Sequence, residues 1–301
     1  MVVLNTLLAT VLPVFLLTGL GWVVRRQLQI EVRDPAKLCL YVLMPGLTLN
    51  AILNTRLEAG EIGKIIGFTV LLTIVMIAIT LVIGKALGYS LSERNASVLT
   101  SAFMNAGNYG LPVAMLAFGQ AGFDRAAVFM IVENIFLSTL AVFFAAHGRL
   151  KLTDALRTAA KQPALWAALA ASALRLAGVT LPAFLSTPIS MLANGALVVI
   201  ILVLGMQVAS VTVRGARSKI GFATVLRLIV SPLAGMALVW FLRPEPLTAK
   251  VLILQSAMPA AVTTSLLAME YGTEPDLVSS ATLVSTCLSM VTVTSWIFFL
   301  H

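Results

Sequence analysis

The chain has 301 residues, of which 59% are hydrophobic and only 11% are charged. A soluble domain carries about 25% charged residues, so this composition excludes a soluble globular protein and indicates an integral membrane protein. The net charge of +8 comes from basic residues scattered over short loops. This scatter argues against a nucleic-acid-binding face and fits the enrichment of Lys and Arg in cytoplasmic loops of membrane proteins.

Apolar segments long enough to cross a lipid bilayer follow one another along the chain. About 20 apolar residues make one span, and on this measure the sequence predicts ten transmembrane helices. The connections between them are short, so we expect an all-α membrane protein without a soluble domain. In chain order the predicted spans cover residues 3–24, 35–54, 63–88, 94–118, 125–147, 162–179, 183–209, 219–242, 247–270 and 277–300.

The distribution of Lys and Arg predicts the orientation of these spans. An excess of basic residues marks the cytoplasmic side, and the excess is largest when both termini lie outside. The thirteen residues then on the cytoplasmic side are Arg25, Arg26, Arg33, Lys37, Lys85, Arg94, Arg149, Lys151, Arg157, Lys161, Arg214, Arg217 and Lys219. The six on the outer side are Arg56, Lys64, Arg125, Arg175, Arg243 and Lys250.

Short sequence matches relate the two halves of the chain. The segment Lys64-Ile-Ile-Gly-Phe-Thr-Val-Leu resembles Lys219-Ile-Gly-Phe-Ala-Thr-Val-Leu, and three further matches follow the same order. Because five spans per half is an odd number, the second half must enter the membrane in the opposite direction. The sequence therefore predicts two inverted five-helix repeats, at residues 1–148 and 162–301, joined by a cytoplasmic linker at 149–161.

Polar and helix-breaking residues interrupt the fourth span at residues 105–112. Hydrocarbon does not tolerate unpaired backbone groups unless protein or a polar cavity surrounds them. The freed amides and the N-terminus of the following half-helix would face an anionic group, whereas the alternative is a kinked helix repaired by its neighbours. The predicted substrate-binding residues of this segment are Asn105, Gly107, Asn108, Tyr109, Gly110 and Pro112.

A second interruption lies in the ninth span, at residues 255–265. Pro259 supplies the disruption, and Thr263 and Thr264 offer hydroxyl groups, which alternatively bond to carbonyls of their own helix. Two interrupted helices at corresponding positions of two halves indicate the binding site of a transporter. We therefore predict that Pro259, Thr263 and Thr264 contribute to the substrate site.

Glu133 is the only carboxylate deep within a predicted span. Ionisable residues inside a membrane are rare and point to function. A proton carrier, a cation ligand and a substrate contact remain open for it, beside a structural role as a buried neutral acid. With Gln255 it forms the predicted proton or coupling-ion site, and its neighbour Asn134 is a predicted substrate contact. Arg227 either balances this charge or extends to a membrane interface.

Other polar residues of the spans carry weaker signals. Isolated amides such as Asn194 and Gln207 in the seventh span are expected to join helices rather than bind a ligand. The histidines, His147 and His301, lie at span ends, and the sequence contains no nucleotide-binding loop, zinc-protease motif or pair of intramembrane aspartates. We therefore expect no enzyme activity, no cofactor and no metal, and transport driven by a gradient.

Three features together resemble one known family. They are the proline-broken fourth and ninth spans, the second-span segment Leu43-Met-Pro-Gly-Leu-Thr-Leu, and the tenth-span segment Ala281-Thr-Leu-Val-Ser-Thr-Cys-Leu-Ser-Met-Val-Thr. Over essentially its whole length the chain is similar to the auxin efflux carrier family, in a bacterial form. The resemblance implies the fold of bile-acid/sodium symporters and plant PIN carriers, in which the broken fourth and ninth helices cross at the bilayer midplane.

The resemblance also implies that the spans form two parts with different roles in transport. Spans 3–5 and 8–10 would form a moving transport core, and spans 1, 2, 6 and 7 a scaffold that forms a homodimer. Pro45 and Asn50 of the second span are the predicted scaffold-side contacts. The crossover positions of the family correspond to Asn105, Asn108, Pro112 and Pro259. The polar substrate contact that the family has on its fifth helix would correspond to Glu133 or Asn134.

The expected function is elevator-type secondary transport of small organic anions in a bacterial inner membrane, uncoupled or proton-coupled. Bacterial relatives are associated with carboxylates such as malonate or malate, and the break sequences differ from the plant pattern. A sodium-coupled symporter of the same fold is the alternative. A channel is disfavoured because no ring of like polar residues recurs across the spans, and a membrane enzyme or sensor would need a catalytic cluster or an attached soluble domain.

Overall fold

The structure, a computed structural model, describes residues 12–55, 57–147, 157, 160–210 and 213–300. The start of the first predicted span and most of the predicted linker at 149–161 lie outside the described residues. The regular elements in the described part are helices. They are α1 (Leu12–Leu28), α2 (Arg33–Asn54), α3 (Ala59–Ala86), α4 (Leu91–Ser101), α5 (Ala106–Ala145), α6 (Pro163–Leu176), α7 (Ala183–Val208), α8 (Arg217–Leu242), α9 (Pro246–Ser256), α10 (Val262–Tyr271) and α11 (Pro275–Leu300).

Within the described part of the chain, six helices are long and apolar enough to cross a membrane, namely α2, α3, α5, α7, α8 and α11. Helix α6 is apolar but shorter. Helices α4, α9 and α10 have only 10 or 11 residues each, about half the length of a membrane span. The predicted all-helical membrane class is therefore confirmed for the described residues.

Helix ends follow local sequence signals. Ser90 caps α4 in a capping box, in which its hydroxyl accepts from the Glu93 N–H group and the Glu93 carboxylate accepts from the Ser90 N–H group. Such a box satisfies two of the N–H groups that a helix start leaves free. In α3, Glu61 lies in the first turn and Lys85 in the last, so each charge opposes the partial charge of the nearer helix end.

The interruptions predicted from sequence are present, but the first is displaced. It lies at residues 102–105 between α4 and α5, and we call it the first break; the second break is residues 257–261 between α9 and α10. Gly107, Gly110 and Pro112, expected within the interruption, belong to α5 instead. The predicted interruption at 105–112 and the observed break at 102–105 therefore share Asn105 alone.

A π-helical turn explains why Pro112 does not break its helix. Proline lacks an N–H group and its ring clashes with the carbonyl four residues earlier, and a local π-helical turn relieves both problems. The turn Ala106–Gly110 ends two residues before Pro112. The same arrangement precedes two other prolines, with Cys39–Leu43 before Pro45 and Leu226–Val230 before Pro232. At each of these prolines the helix contains a wider π-helical turn and continues past the proline.

Helix α5 bends at Gly119, whose φ of 66° and ψ of −162° depart from helical geometry. This backbone conformation is accessible essentially to glycine alone. The bend falls at the predicted boundary between the fourth and fifth spans. Residues 120–124, expected as a connection between these spans, are helical, so a bend takes the place of a loop.

The helices pack in two groups that share a boundary. Helix α1 packs along α7, where Gly21 lies against the Leu202 carbonyl and Gly205 against the Thr18 carbonyl, so that a Cβ atom at either glycine has no room. Helices α6 and α7 pack on α2. In the second group, α3 packs on α4, α5 and α8, while α9 contacts α5 and α8, and α11 contacts α8 and α10. Helix α5 also contacts α2, α6 and α7, and therefore lies at the boundary.

Candidate functional site

The two breaks lie side by side and run antiparallel. The Asn105 N–H group donates to the Pro259 carbonyl at 2.8 Å, and the Ala261 N–H group donates to the Phe103 carbonyl at 3.1 Å. Unpaired backbone groups are costly away from water, and each break here supplies partners for the other. The sequence predicted two breaks, and the structure brings them into direct contact.

Side chains from α5 and α11 satisfy the N–H groups that point away from this pairing. Met104 and Ala260 face each other across the bridge. The Met104 N–H group donates to Oε1 of Glu133 at 2.9 Å, and the Ala260 N–H group donates to the Ser285 hydroxyl at 3.3 Å. Glu133 is fully buried. It therefore supports the first break as Ser285 supports the second.

Arg227 of α8 joins the ends of the helices that lead into the breaks. Its Nη1 donates to the carbonyl of Ser101, the last residue of α4, at 2.8 Å. Its Nη2 donates to the carbonyl of Ser256, the last residue of α9, at 2.6 Å, and also contacts the Ser231 hydroxyl. The residue is 0% exposed, so it does not extend to a membrane interface. A cation stabilises the partial negative charge of helix C-termini, and Arg227 does so for two helices at once.

A cavity of about 220 Å³ lies beside the N-terminal ends of α5 and α10. Residues of α2, α6 and α7 form one wall, and residues of α5, α10 and the breaks form the other. None of the described residues that line the cavity is an Asp, Glu, Lys or Arg. Its amide and hydroxyl side chains belong to Asn105, Asn108, Asn134, Gln162, Gln207 and Thr263.

Two helix N-termini contribute to the second wall. Ala106 and Gly107 begin α5, and Ala261 and Thr263 lie at the start of α10. The first N–H groups of a helix have no partner within it, and the N-terminus carries a partial positive charge. This wall is therefore suited to an anion even though it lacks a cationic side chain.

Two amide side chains of the cavity have a buried atom without a hydrogen-bond partner among the described residues. Asn105 is 5% exposed, and its Oδ1 accepts from the Asn108 N–H group at 3.2 Å, which leaves Nδ2 unpaired. In the other wall, Oε1 of Gln207 is also buried and unpaired. An unsatisfied buried polar group costs about 1–3 kcal/mol. Both residues line the cavity, one in each wall.

The structure brings five of the predicted substrate-binding residues together. They come from three separate stretches of the predicted fourth, fifth and ninth spans and meet in the wall of one cavity. They are Asn105, Gly107, Asn108, Asn134 and Thr263.

Two other predicted residues lie against the breaks or behind them. Pro259 is in the second break, where its carbonyl accepts from Asn105. Tyr109 is fully buried, and its hydroxyl accepts a hydrogen bond from Ser289 of α11 at 3.2 Å. Its ring packs edge-on against Phe15 of α1. Tyr109 therefore ties α5 to α1 and α11.

Gly110 and Gln255, both predicted site residues, contact each other. A Cβ atom at Gly110 would overlap the carboxamide of Gln255, so this position requires glycine for a close approach of α5 and α9. Gln255 is fully buried, and both polar atoms of its carboxamide are unpaired among the described residues. The pair lies beside the breaks and not among the residues that line the cavity.

The remaining predicted residues bond within their own helices or pack between helices. The Thr264 hydroxyl donates to the Ala261 carbonyl at 2.7 Å, which is the alternative that the sequence left open. Asn50 accepts from the Asn54 amide at 3.0 Å, one turn along α2. Pro112 is buried in α5, and Pro45 follows the π-helical turn of α2.

The sequence analysis missed two amides of the cavity wall. Gln162 directly precedes Pro163 at the start of α6, so in the sequence it looks like an ordinary residue before a helix. Its Nε2 donates to the Ser138 hydroxyl. Gln207 was interpreted as an amide that joins helices. Its spacing from Ile200 and Val203 is the available signal, because residues seven and four positions earlier share its helix face and also line the cavity.

Comparison with known proteins assigns the family. The family model described as "Membrane transport protein" matches residues 6–154 and 148–297. The chain belongs to this family. This confirms the auxin efflux carrier family that the span motifs predicted, across nearly the whole length of the transport protein.

Two relatives match this transport protein from end to end. An "Uncharacterized transporter" of Methanothermobacter thermautotrophicus is 27% identical over 298 residues, which are 95% of this chain and 96% of that protein. A "Putative malonate transporter" of Rhizobium meliloti is 25% identical over 303 residues, which are 97% of this chain and 95% of that protein. The chain is thus a membrane transporter and not an enzyme, as the sequence predicted.

Proposed function

We propose that this membrane transport protein carries small carboxylate anions, which bind in the cavity beside the N-termini of α5 and α10. The observation that carries the proposal is the buried, unpaired Nδ2 of Asn105 at the start of α5. A carboxylate accepts hydrogen bonds from amide groups and helix N-termini, and the wall offers both. The printed name of the Rhizobium meliloti relative, which refers to malonate, agrees with this substrate class.

We further propose a ten-span architecture with inverted repeats. Helix α4 and the part of α5 before Gly119 correspond to the fourth span, and α9 with α10 to the ninth. Helices α1, α2, α6 and α7 correspond to the scaffold, and the other helices to the moving core. The packing of the helices into two groups supports this division. Since the cavity lies at the boundary, a displacement of the core would carry a bound anion across the bilayer.

The predicted orientation of the spans indicates which side of the membrane the cavity faces. Ala36 and Gln162 line the cavity, and they adjoin Lys37 and Lys161 on the basic side of the predicted topology. If both termini lie outside, the cavity opens toward the cytoplasm, as expected of an inward-facing carrier. Dimerisation through the scaffold and an inner-membrane location stay predictions of the family resemblance.

Carboxylate binding by the purified full-length protein tests the proposal. Malonate and malate should raise the melting temperature of the protein, and proteoliposomes that contain it should take up both anions. An aromatic acid is measured in the same way for comparison. Asn105→Ala should weaken malonate binding by about tenfold or more, since a hydrogen bond to a charged group contributes about 1.5–3 kcal/mol. Asn194→Ala, an exposed amide on α7, is the matched control.

Two outcomes would count against this function. Failure of the wild-type protein to bind any of the carboxylates would contradict it outright, and equal affinity of Asn105→Ala and wild type would remove the cavity from the proposal.

Uptake that requires sodium and ignores pH would support the sodium-coupled alternative. Uptake that follows a pH gradient without sodium would support proton coupling.

A further inference from the structure

We infer that the cavity binds its substrate with a single negative charge, so that a dicarboxylic acid is carried as its singly protonated monoanion. This inference rests on the proposed function, since it concerns the charge state of the carboxylate bound beside Asn105. It follows from the positive and negative charges that the described structure places around the cavity.

The positive charge available to a ligand is about one unit. A helix N-terminus is equivalent to about half an elementary charge, and two of them, those of α5 and α10, border the cavity. No Lys or Arg is among the described residues of the wall. Lys37 and Lys161 are exposed and adjoin the lining residues Ala36 and Gln162 in sequence, so they can attract anions from solution without neutralising a charge inside.

Arg227 leaves this positive charge free to act on the ligand. The C-termini of α4 and α9 meet at the same breaks, and their partial negative charges would otherwise offset the two N-termini. The guanidinium donates to the last carbonyl of each helix, at Ser101 and Ser256. Glu133 accepts from the Met104 N–H group, and its carboxyl group must be neutral there, because an ionised carboxylate would offset the charge of the guanidinium. The thiol of Cys39, also in the wall, adds none.

The opposite wall is suited to a hydrogen-bond donor of the ligand. Oε1 of Gln207 is buried and unpaired, and the Gln162 amide nitrogen already donates to Ser138. A second carboxylate here would be a buried charge without a partner, which is costly. A protonated carboxyl group instead donates its O–H to Gln207. Asn105 therefore receives the charged end of the substrate and Gln207 the neutral end.

Three related probes separate charge from hydrogen bonding. Malonate gains its second charge as pH rises, malonamate keeps one charge and an N–H donor, and monomethyl malonate keeps one charge without a donor. Binding of each to the purified protein is measured by calorimetry from mildly acidic to neutral pH. The apparent affinity of malonate should fall by about tenfold per pH unit above its second pKa, because only the monoanion binds. The affinity of malonamate should stay constant and exceed that of malonate at neutral pH.

Substitution of Gln207 tests the assignment of the neutral end. Gln207→Leu should reduce the affinity for malonamate to that for monomethyl malonate, which it should leave unchanged. Asn194→Leu, an exposed position on the same helix, should alter neither. Malonate affinity that is constant or rises with pH would overturn the inference while the proposed function stands. Failure of all three probes to bind would overturn both.

Discussion

Arg227 and Ser256 are joined by a hydrogen bond of 2.6 Å between a guanidinium nitrogen and the last carbonyl of α9. The same guanidinium reaches the last carbonyl of α4. One buried cation thus holds the ends of two helices that enter the breaks from separate parts of the chain. The two half-helices are therefore linked through one side chain, which is consistent with the moving core that we propose.

Loss of the guanidinium should destabilise the fold strongly. Arg227→Met preserves much of the volume but leaves the Ser101 and Ser256 carbonyls without this donor, so we expect a cost of about 3 kcal/mol or more, measured as a lower thermal unfolding midpoint. Arg227→Lys should cost less because an ammonium group retains some of the bonds. Arg217→Met, exposed at the start of the same helix, should change little; equal effects at positions 217 and 227 would contradict the role assigned to Arg227.

Glu133 should act as an acceptor for the first break and not through its charge. Glu133→Gln keeps an oxygen for the Met104 N–H group, so stability and malonate binding should remain close to wild type. Glu133→Ala removes the acceptor and should cost about 1–3 kcal/mol. Thermal unfolding and calorimetry of both variants measure this difference. Equal losses of stability in the two variants would contradict the acceptor role, and loss of pH-driven uptake in Glu133→Gln at unchanged stability would indicate the proton-carrier role.

The close approach of Gly110 and Gln255 predicts a specific rescue. Gly110→Ala should destabilise the protein by about 1–3 kcal/mol, because the added methyl group overlaps the Gln255 carboxamide. Gln255→Ala in the same chain should recover most of this loss, and the double-mutant cycle gives the coupling. Gly67→Ala, where nothing lies within 4 Å of the added Cβ, is the control. Additive effects at positions 110 and 255 would exclude their contact.

The adjacent threonines of α10 should differ in their effect on binding. Thr263 lines the cavity, whereas the Thr264 hydroxyl donates to the Ala261 carbonyl of its own helix. We expect Thr263→Ala to weaken malonate binding several-fold more than Thr264→Ala, as measured by calorimetry at constant pH. The reverse order would show that α10 is rotated relative to the cavity.

The bend of α5 should depend on glycine at position 119. Gly119→Ala forces a side chain into a backbone conformation with φ of 66° and ψ of −162°, which costs about 1–3 kcal/mol for a residue with a side chain. Gly195→Ala in α7 has open space around the added Cβ and should be neutral or stabilising. Thermal unfolding of the two variants compares them directly, and an equal shift would argue against strain at the bend.

Local signals in the sequence were informative where a residue acts on its own backbone. Pro259 cannot donate to a helix, and it lies in the second break as predicted. Pro112 has the same chemistry, yet its helix continues, because the π-helical turn Ala106–Gly110 accommodates it. The same turn precedes Pro45 and Pro232, so a proline within an apolar segment does not by itself show whether its helix ends.

The sequence by itself determined the membrane class, the family and the two interrupted spans, because these follow from hydrophobicity, composition and motifs read along one segment. Only the tertiary structure decided that the breaks pair, that Arg227 joins Ser101 to Ser256, and that Gln162 and Gln207 share a cavity with Asn105. Each of these contacts joins residues far apart in the chain. Their energy depends on distance and burial after packing, and a sequence pattern carries neither.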